Sequence, residues 1–457
     1  MTLTRRIACT VLAVSLGAAG LGLLAPSASA AEARTYYVSA SGNDQLDGLT
    51  EATAWRTLQA ASNHVFTAGD TVLLQGGSTF TGPLYLDAQD AGVTVGSFGS
   101  GRARIDGNGT PGVLGYDAGG LTVRDLDLVG DAAAYASKGG LSLYSDLPAG
   151  QRLTGITISG VSVQGFKNGV EIGGANPGAG FAQVSIADVK AVGNRDAGVI
   201  TYGPSFDAGS PSYAHLGVNV ARTVASNNLG NPADKVHNSG SGIVLGSVDG
   251  GSILSSTASG NGSRCVAPEC GVGIWTYDAR GIRIAYSSAT NNRTGSSADG
   301  DGFDLDQNVS GSYLEHNTSS GNDGAGYLVY TGQTNAAHHH NVVRWNTSTG
   351  DARKNSWYGG ITLAGKVQFV TVTGNKVDTS SSASHAPALS IKPGVAGAKI
   401  SGNTLKSASG SGVVVSPKIS RSAAAISSNT WAATVQRVRW GTDYASVAAW
   451  TKATGQS

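Results

Sequence analysis

The sequence of 457 residues is rich in glycine, with 67 copies, and only 13% of its residues are charged. Its formal net charge of +1 argues against a surface built to bind nucleic acid or anionic membranes. Such a composition would indicate disorder if it were aperiodic, but short apolar runs recur along the chain at a regular spacing. The composition therefore favours a folded, repetitive protein.

The first 30 residues have the pattern of a secretory signal peptide. Arg5 and Arg6 precede an apolar run at 7–24, and small residues then lead to a cleavage site after Ala30. Removal of this segment leaves 29 basic against 30 acidic residues. We therefore predict a secreted, extracellular protein whose mature chain, 31–457, is a single domain. The sequence has no second long apolar run, so it predicts no membrane span.

The mature chain keeps two cysteines, Cys265 and Cys270. Export brings them into an oxidising compartment, which favours a disulfide that closes a small loop. A metal site with two cysteine ligands is the alternative, but no further cysteine or histidine stands nearby at zinc spacing. We therefore predict a disulfide and no metal site here.

The two ends of the mature chain differ from its middle. Residues 35–39 have the pattern of a strand, and apolar residues at helical spacing predict a short amphipathic helix over 54–66. Near the C-terminus, Ser446 is a candidate N-cap and Gly455 a candidate stop for a second short helix. Because a stack of repeats exposes an open coil at each end, we expect both helices to act as caps.

Two markers recur through the middle of the chain with one shared period. The first is a glycine that opens an apolar segment, at spacings of 24 to 34 residues apart from one of 44. These segments begin at Gly169, Gly198, Gly242, Gly273, Gly302, Gly326, Gly360, Ala388 (in the place of the glycine) and Gly412. The second is an asparagine in a turn: Asn194, Asn227, Asn261, Asn291, Asn317, Asn346, Asn375, Asn403 and Asn429. A shared period indicates one coil per repeat.

Each repeat supplies short strands and no segment of helix length, so the crossovers between parallel strands cannot be helical. Stacking each strand on its counterpart in the next coil gives an all-β parallel β-helix. A β-sandwich would instead need hairpin turns every eight to twelve residues. One predicted interior ladder contains Val170, Val199, Ile243, Ile274, Phe303, Tyr327, Ile361 and Val413. The next contains Ile172, Leu245, Leu305, Val329 and Leu363.

The same register predicts which side chains face outward. They are Glu171, Ile200, Tyr202, Val244, Trp275, Tyr277, Asp304, Asp306, Leu328, Tyr330 and Thr362. Aromatic faces suit the C–H faces of sugar rings, so Trp275, Tyr277, Tyr330 and Tyr202 are candidate substrate-binding residues. The alternative is that these aromatics only fill a half-buried sheet surface.

Four carboxylates lie within eight residues at Asp299, Asp301, Asp304 and Asp306. Because like charges at this density repel, the cluster needs protons, a cation or a substrate for compensation. We interpret the four aspartates as candidate catalytic residues, with a calcium site and turn caps as alternatives.

Further polar residues lie near the cluster in sequence. Asp323 and His338 are added as candidate substrate-binding residues, although Asp323-Gly324 also has the pattern of an ordinary turn and a histidine in a loop is usually solvated. Three lysines, Lys354, Lys366 and Lys392, are candidates for a proton-abstracting base or for pairing with acidic sugars.

Two stretches near the start resemble secreted right-handed parallel β-helix enzymes that act on polysaccharides. They are residues 35–44, TYYVSASGND, and 55–60, WRTLQA. The resemblance spans nearly the whole mature chain, including 444–456 at its end. It implies a right-handed parallel β-helix with short N- and C-terminal capping helices.

Two families within this class share shorter motifs with the chain. Asp301-Gly302-Phe303 and the later run 322–327 are similar to the calcium-binding pattern of a pectate lyase family. That pattern has a lysine after its first motif, where this chain has Asp304-Leu305-Asp306, and further acids where Ala325 and Leu328 stand. The acid-rich run 299–306 more closely resembles β-helix glycosidases such as the lacto-N-biosidase group, which use two nearby aspartates.

We therefore predict a secreted glycoside hydrolase that cleaves a polysaccharide or oligosaccharide in a groove on one face of the β-helix. It would act as a monomer, with an aspartate pair and without a cofactor. A polysaccharide lyase, in which calcium could take part, and a non-catalytic carbohydrate-binding β-helix are the alternatives. The sugar, the linkage and the two catalytic members of the four aspartates are left open.

Overall fold

Short strands separated by turns stack in parallel through the computed structural model, which describes residues 32–132, 137–332, 337–432 and 437–457. The predicted signal peptide, residues 1–30, lies outside the described residues. Residues Ala33–Ser457 form one compact unit. Within the described ranges, no helix combines the length and apolar character that a membrane crossing requires.

The strands form three faces of a right-handed parallel β-helix, which confirms the predicted fold class. The first face contains Leu84–Leu86, Val113–Tyr116, Leu141–Ser145, Asn168–Gly174, Ala197–Tyr202, the first parts of Ser241–Leu254 and Ile274–Ala285, Phe303–Leu305, Tyr327–Thr331, Ile361–Gly365, Leu389–Ile391, Gly412–Ser416 and Arg437–Trp440. Asp443–Tyr444 pairs antiparallel with its last strand.

The second face is continuous with the first, because two long strands bend from one into the other. It contains Thr35–Val38, Thr71–Gln75, Thr94–Phe98, Thr122–Arg124, Arg152–Thr154, Thr157–Ser159, Gly180–Ala187, His215–Ala221, the second parts of Ser241–Leu254 and Ile274–Ala285, Val309–Ser310, Tyr313–Glu315, Val342–Arg344, Thr371–Thr373, Ala398–Ser401 and Ala424–Ser427.

The third face is a separate sheet of 13 strands. It contains Thr79–Thr81, Ala103–Asp106, Leu126–Val129, Ser162–Gln164, Lys190–Val192, Val224–Ser226, Thr257–Ser259, Ser288–Thr290, Thr318–Ser320, Thr347–Thr349, Lys376–Asp378, Thr404–Lys406 and Thr430–Trp431.

The predicted interior ladder is confirmed from Val170 to Ile361, and each of its members is fully buried. Inside it, the Phe303 and Tyr327 rings stack with centroids 5.1 Å apart. The predicted last member is wrong: Leu389 pairs with Val414, and not with Val413. An irregularity between Gly412 and Val414 inserts one residue into the register, as a β-bulge does.

Seven of the nine predicted turn asparagines belong to two ladders and not to one. In both, a backbone N–H donates to an Asn Oδ1 of the next coil, which satisfies buried polar groups at a turn. The first ladder is Asn194, Asn228, Asn261, Asn292 and Asn322, and it ends on Asp351. The second is Asn317, Asn346, Asn375, Asn403 and Asn429. Asn227 and Asn291 have φ of 54° and 55°, in the left-handed region, and precede the ladder residues.

Helices lie near both ends. At the N-terminal end, a 3₁₀ turn at Glu51–Thr53 precedes α1, Leu58–Ser62, which is shorter than the predicted 54–66. Thr57 fixes its start, because its side chain accepts from the N–H of Ala60. A second 3₁₀ turn spans Ala88–Asp90.

At the C-terminal end, α2 spans Val447–Thr454, as predicted. Ser446 is its N-cap, and Gly455 ends it with φ of 67°. Trp450 of α2 is fully buried beside Trp431 and Trp440, so this helix packs against the last strands.

Candidate active site

The strand Phe303–Leu305 separates an apolar interior from a polar exterior. Phe303 and Leu305 are fully buried in the core, and the register sets Asp304 between Trp275 and Leu328 on the outside of the first face. This outward direction was predicted, but open exposure to solvent was not found. Asp304 is only 4% exposed and Trp275 6%. Loops from neighbouring coils cover the outward side chains.

Under these loops lies a cavity of ≈ 340 Å³, which we call the reactive cavity. Its floor comes from the strands of the first face, and its walls come from three loops. The lining residues are Glu269, Ser297, Ala298, Asp299, Asp304, Asp306, Leu328, Tyr330, Asn355, Trp357 and Tyr358. Three of the four predicted aspartates therefore meet in one cavity.

Asp299 lies in the loop before the strand and has a positive φ of 61°. Its Oδ2 accepts from the backbone N–H of Cys270 at 2.6 Å, and its Oδ1 accepts from the Tyr358 hydroxyl at 3.2 Å. Burial, with the nearby charge of Glu269, raises the pKa of Asp299 to about 6, although these two hydrogen bonds act to lower it. Asp299 is thus a carboxyl fixed by two hydrogen bonds, with a pKa of about 6.

Lys354 and Asn355 anchor the loop that carries Asp299. The Lys354 ammonium donates to the carbonyls of Thr294 and Ser296 at 2.7 and 2.6 Å. The Asn355 side chain donates to the carbonyl of Ser297 at 3.2 Å. Lys354, a candidate base in the sequence, therefore holds backbone and fixes the loop over the cavity.

Asp304 and Asp306 are two cavity carboxyls whose pKa values are raised by burial. Burial raises the pKa of Asp304 well above its ordinary value, and the neighbouring Asp306 adds to this effect. Burial, together with the charge of Asp299, raises the pKa of Asp306 to about 8. In both residues Oδ1 is buried and has no hydrogen-bond partner within the described chain.

Asp301, one of the four aspartates predicted to be catalytic, is not among the residues that line the reactive cavity. It is fully buried, and its Oδ1 accepts from the backbone N–H of Ala325 in the next coil. Burial and the charge of Asp299 raise the pKa of Asp301 well above its ordinary value. Its position ties two coils together behind the cavity.

Asp323 and His338, the two other polar candidates, also lie outside the cavity. Asp323 accepts from the N–H of Thr294 at 3.2 Å and lies 3.4 Å from the Arg293 guanidinium, so it supports the loop. His338 is fully buried, and its Nδ1 accepts from the N–H of Val309 at 3.3 Å. Burial lowers the pKa of His338 to about 4, which suits a neutral ring that holds backbone.

The predicted aromatics are spread along the first face. Tyr330 lines the reactive cavity, whereas Trp275 and Tyr277 line a neighbouring one and Tyr202 a third. Tyr277 lies over Gly246 of the preceding coil, where an added Cβ would come within 2.3 Å of the ring. The Trp275 Nε1 donates to Ser241 Oγ at 3.1 Å. These aromatics form the floor of a groove rather than an open platform.

Three acidic or aromatic residues that line the cavity, Glu269, Trp357 and Tyr358, are not among the residues predicted from the sequence. Glu269 lies between Cys265 and Cys270, which form the predicted disulfide, and its only sequence signal was an acid inside that loop. Trp357 and Tyr358 come from a loop without repeat pattern. Behind Trp357, the Lys392 ammonium lies 4.5 Å from the ring centroid. Lys392 is a candidate base in the sequence, but the sequence does not predict its position beside Trp357.

The described residues contain no group of three or more His, Cys, Asp or Glu side chains arranged to hold a metal ion. In the segment that resembles the pectate lyase calcium motif, Asp301 accepts a hydrogen bond from the backbone. Asp304 and Asp306, which follow it, line the cavity.

Comparisons with known proteins connect this architecture with solved β-helix structures. No family model and no curated protein matches the chain. The native GH136 lacto-N-biosidase from Eubacterium ramulus superposes with a TM-score of 0.60 at 17% identity, covering 82% of this chain and 67% of that one. The A-module of the Azotobacter vinelandii mannuronan C-5 epimerase AlgE4 gives 0.52 at 15% identity, covering 82% and 90%.

At these identities the likeness concerns the fold. The chain is a right-handed parallel β-helix of the architecture found in carbohydrate-active enzymes, as the sequence resemblance implied.

Proposed function

We propose that the protein is a glycoside hydrolase whose catalytic carboxyls lie in the reactive cavity. The observation that carries this proposal is the difference between two carboxyls of one cavity, with the pKa of Asp299 raised to about 6 and that of Asp306 to about 8. At neutral pH one is then mostly ionised and the other mostly protonated. Glycoside hydrolysis requires such a pair.

We assign a role to each carboxyl. Asp306 donates its proton to the glycosidic oxygen as the leaving group departs. Asp299, held by the Cys270 N–H and the Tyr358 hydroxyl, acts as the nucleophile or as the base that activates water. Asp304 lies two residues from Asp306 on the same strand face, about 7 Å away at the backbone. Asp306 adds to the effect of burial in raising the pKa of Asp304.

The lining of the cavity also fits the charge that develops in this reaction. Its described residues include four carboxyls and no lysine or arginine. An oxocarbenium-like transition state gains positive charge, which carboxylates stabilise. Tyr330 and Trp357 add aromatic surface for a sugar ring. The structural neighbours, a lacto-N-biosidase and a mannuronan C-5 epimerase, support a saccharide as substrate.

A polysaccharide lyase is the second candidate, and Lys392 is the observation that favours it. Burial lowers the pKa of Lys392 to about 8, so a neutral amine able to abstract a proton is accessible near neutral pH. Its position beside Trp357 lies next to the cavity. In this mechanism Lys392→Ala would abolish activity, and the product would carry a double bond that absorbs in the ultraviolet.

A panel of oligosaccharides and polysaccharides tests the proposal, with each reaction followed for new reducing ends and for unsaturated products. We expect reducing ends without ultraviolet absorbance, and a loss of about a hundredfold or more in kcat for Asp299→Asn and Asp306→Asn. Asp351→Asn is the matched control, because Asp351 is a buried carboxyl that ends an asparagine ladder and does not line the cavity.

Other outcomes would contradict the proposal. Unsaturated products with loss in Lys392→Ala would favour the lyase. Full activity of both cavity variants on a substrate that the parent cleaves would remove the assigned residues. Binding without turnover on the whole panel would favour a carbohydrate-binding protein. A chelator is expected to leave hydrolysis unchanged, whereas activity restored by calcium would favour a cation-dependent lyase.

A further inference from the structure

Two more cavities continue the reactive cavity along the first face. The middle cavity has ≈ 460 Å³ and shares Glu269 and Asp306 with the reactive cavity. The distal cavity has ≈ 550 Å³ and shares Ile200 and Trp275 with the middle one. Because neighbouring cavities share lining residues, the three follow one another along the first face, and we call them together the groove.

The register sets the length of this groove. Glu171 lines the distal cavity. In the four coils that follow, its register partners on the outer side of the first face are Ile200, Val244, Trp275 and Asp304. Glu171 is thus four strand spacings from Asp304, or about 19 Å at about 4.8 Å per spacing. A ligand that reached from one to the other would have to be a chain of several sugar rings.

Polar groups at the base of the distal cavity are buried and paired in an unusual way. Glu171 and Asn168 are both 4% exposed. The Asn168 Nδ2 donates to Glu171 Oε2 at 2.6 Å, which fixes the orientation of the amide because a carboxylate only accepts. The Asn168 Oδ1 is then left buried without a donor among the described residues. An acceptor in this state favours a ligand that brings a hydroxyl.

The charged groups around this cavity leave little net charge. Arg195 is paired with Asp196 at 2.7 Å, and His237 lies 3.1 Å from Asp234. Lys138 and Lys167 line the cavity together with Glu171, and Tyr202 and Trp275 add aromatic surface. A mixed set of donors and acceptors over aromatic rings matches a neutral, hydroxyl-rich ring better than a carboxylated one.

We propose that the distal cavity is a binding subsite for a neutral sugar ring of the same chain whose glycosidic bond lies at Asp299 and Asp306. The inference rests on the proposed function for the reacting end and adds the substrate class: an extended, neutral oligosaccharide or polysaccharide that fills the whole groove. Glu171 and Asn168 accept hydroxyl protons at its far end, and Trp275 lies under the rings between the two ends.

Two variants test the subsite without altering the reactive cavity. Glu171→Gln keeps the size of the side chain and an acceptor for Asn168 but removes the charge. Ile200→Trp places a bulky ring in the groove between its ends. Leu216→Trp is the matched control, because Leu216 is 44% exposed and lies on the second face.

The probes are oligosaccharide ladders of one to eight units prepared from neutral glucan, galactan, mannan and xylan. Binding is measured by calorimetry in the Asp306→Asn background, and kcat/KM in the active protein. For the ladder that binds, we expect affinity and kcat/KM to rise with chain length. This gain should fall about tenfold in Glu171→Gln and disappear in Ile200→Trp, with the shortest substrates unaffected and Leu216→Trp unchanged.

The two assays separate failure of the subsite from failure of the hydrolase. Equal affinity for short and long chains, or an unchanged gain in both groove variants, would overturn the subsite even if the protein hydrolyses short substrates. Tighter binding of long chains that Ile200→Trp abolishes would support the subsite even if nothing is hydrolysed. Failure to bind any ladder would overturn it.

Discussion

Asp299 and Asp306 line the same cavity and differ in what their oxygens contact. Asp299 accepts hydrogen bonds from the Cys270 N–H and the Tyr358 hydroxyl, whereas Asp306 Oδ1 has no partner in the described chain. Hydrogen bonds to a carboxylate favour its charged form, and burial without them favours the neutral form. Burial raises the pKa of both carboxyls. The two hydrogen bonds to Asp299 limit the rise of its pKa to about 6, whereas Asp306, which has one backbone hydrogen bond from Gln307 and the charge of Asp299 nearby, reaches about 8.

The pH dependence of kcat/KM should report these two groups. Asp299 must be ionised and Asp306 protonated, so we expect activity to rise through about pH 6, to fall through about pH 8 and to be highest between them. Tyr358→Phe removes a bond that lowers the pKa of Asp299, and its acidic limb should therefore move to higher pH. Steady-state rates from pH 4 to 10 measure both effects.

Tyr313→Phe is the control for this shift, because Tyr313 is partly exposed on the second face. A general loss of rate in Tyr358→Phe without movement of the acidic limb would show that the hydroxyl does not act on the titrating group. An activity maximum below pH 5 would contradict the assignment of both carboxyls.

At the scale of structural elements, the asparagine ladders hold the turns in place and one of them ends on an acid. Asp351 is fully buried and accepts from the backbone N–H and the side chain of Asn322 at 2.9 and 2.8 Å. Burial raises the pKa of Asp351 to about 6. An asparagine there would keep the acceptor oxygen without a charge, as at the equivalent positions of earlier coils.

Asp351→Asn should therefore stabilise the protein at pH 7. With a folded pKa of about 6 above an ordinary value of 3.8, the folded state binds a proton more tightly than the unfolded state, so the parent loses stability as pH rises from about 4 to 6. The neutral variant lacks this loss and should gain on the order of 1 to 3 kcal/mol at pH 7. Chemical denaturation at pH 3.5 and 7 measures it, and an equal difference at both pH values would contradict the cause.

Removal of the disulfide distinguishes an effect on the site from an effect on the stability of the fold. Cys270 N–H holds Asp299, and Glu269 of the same loop lines the reactive cavity. We expect the double variant Cys265→Ser, Cys270→Ser to lose about tenfold or more in kcat through misplacement of Asp299, with a smaller relative loss of stability. Rates and melting temperatures of parent and variant test this. A large drop in melting temperature with unchanged kcat for the folded fraction would contradict it.

At the scale of the whole molecule, the β-helix presents one groove along its first face, and the chain is predicted to reach its substrate outside the cell as a monomer. We expect the exported protein to begin at Ala31 and to elute as a single chain. N-terminal sequencing of secreted material and light scattering coupled to gel filtration measure these properties. An intact N-terminus in the medium, or a stable dimer, would contradict the prediction.

The sequence by itself determined the β-helix coil and which side chains of its strands face the interior or the exterior. Side chains alternate along a strand and the repeats share one period, so the glycine marker alone was enough to pair Phe303 with Tyr327 and to set Asp304 beside Trp275. Local capping chemistry also determined α2. The predicted interior ladder is wrong at Val413, where a bulge shifts the register. The sequence pattern does not separate the two asparagine ladders, because two turns of one coil share the same period.

Only the tertiary structure decided which acids meet in a cavity. Tyr358 follows Asp299 by 59 residues and Cys270 precedes it by 29, and both reach it through loops that follow no repeat. Those loops turn an open row of side chains into a covered groove, and burial then raises the pKa values on which the proposed chemistry depends. Since loop paths depend on long-range contacts and not on strand period, Glu269 enters the cavity while Asp301, within the same acidic run, lies behind it.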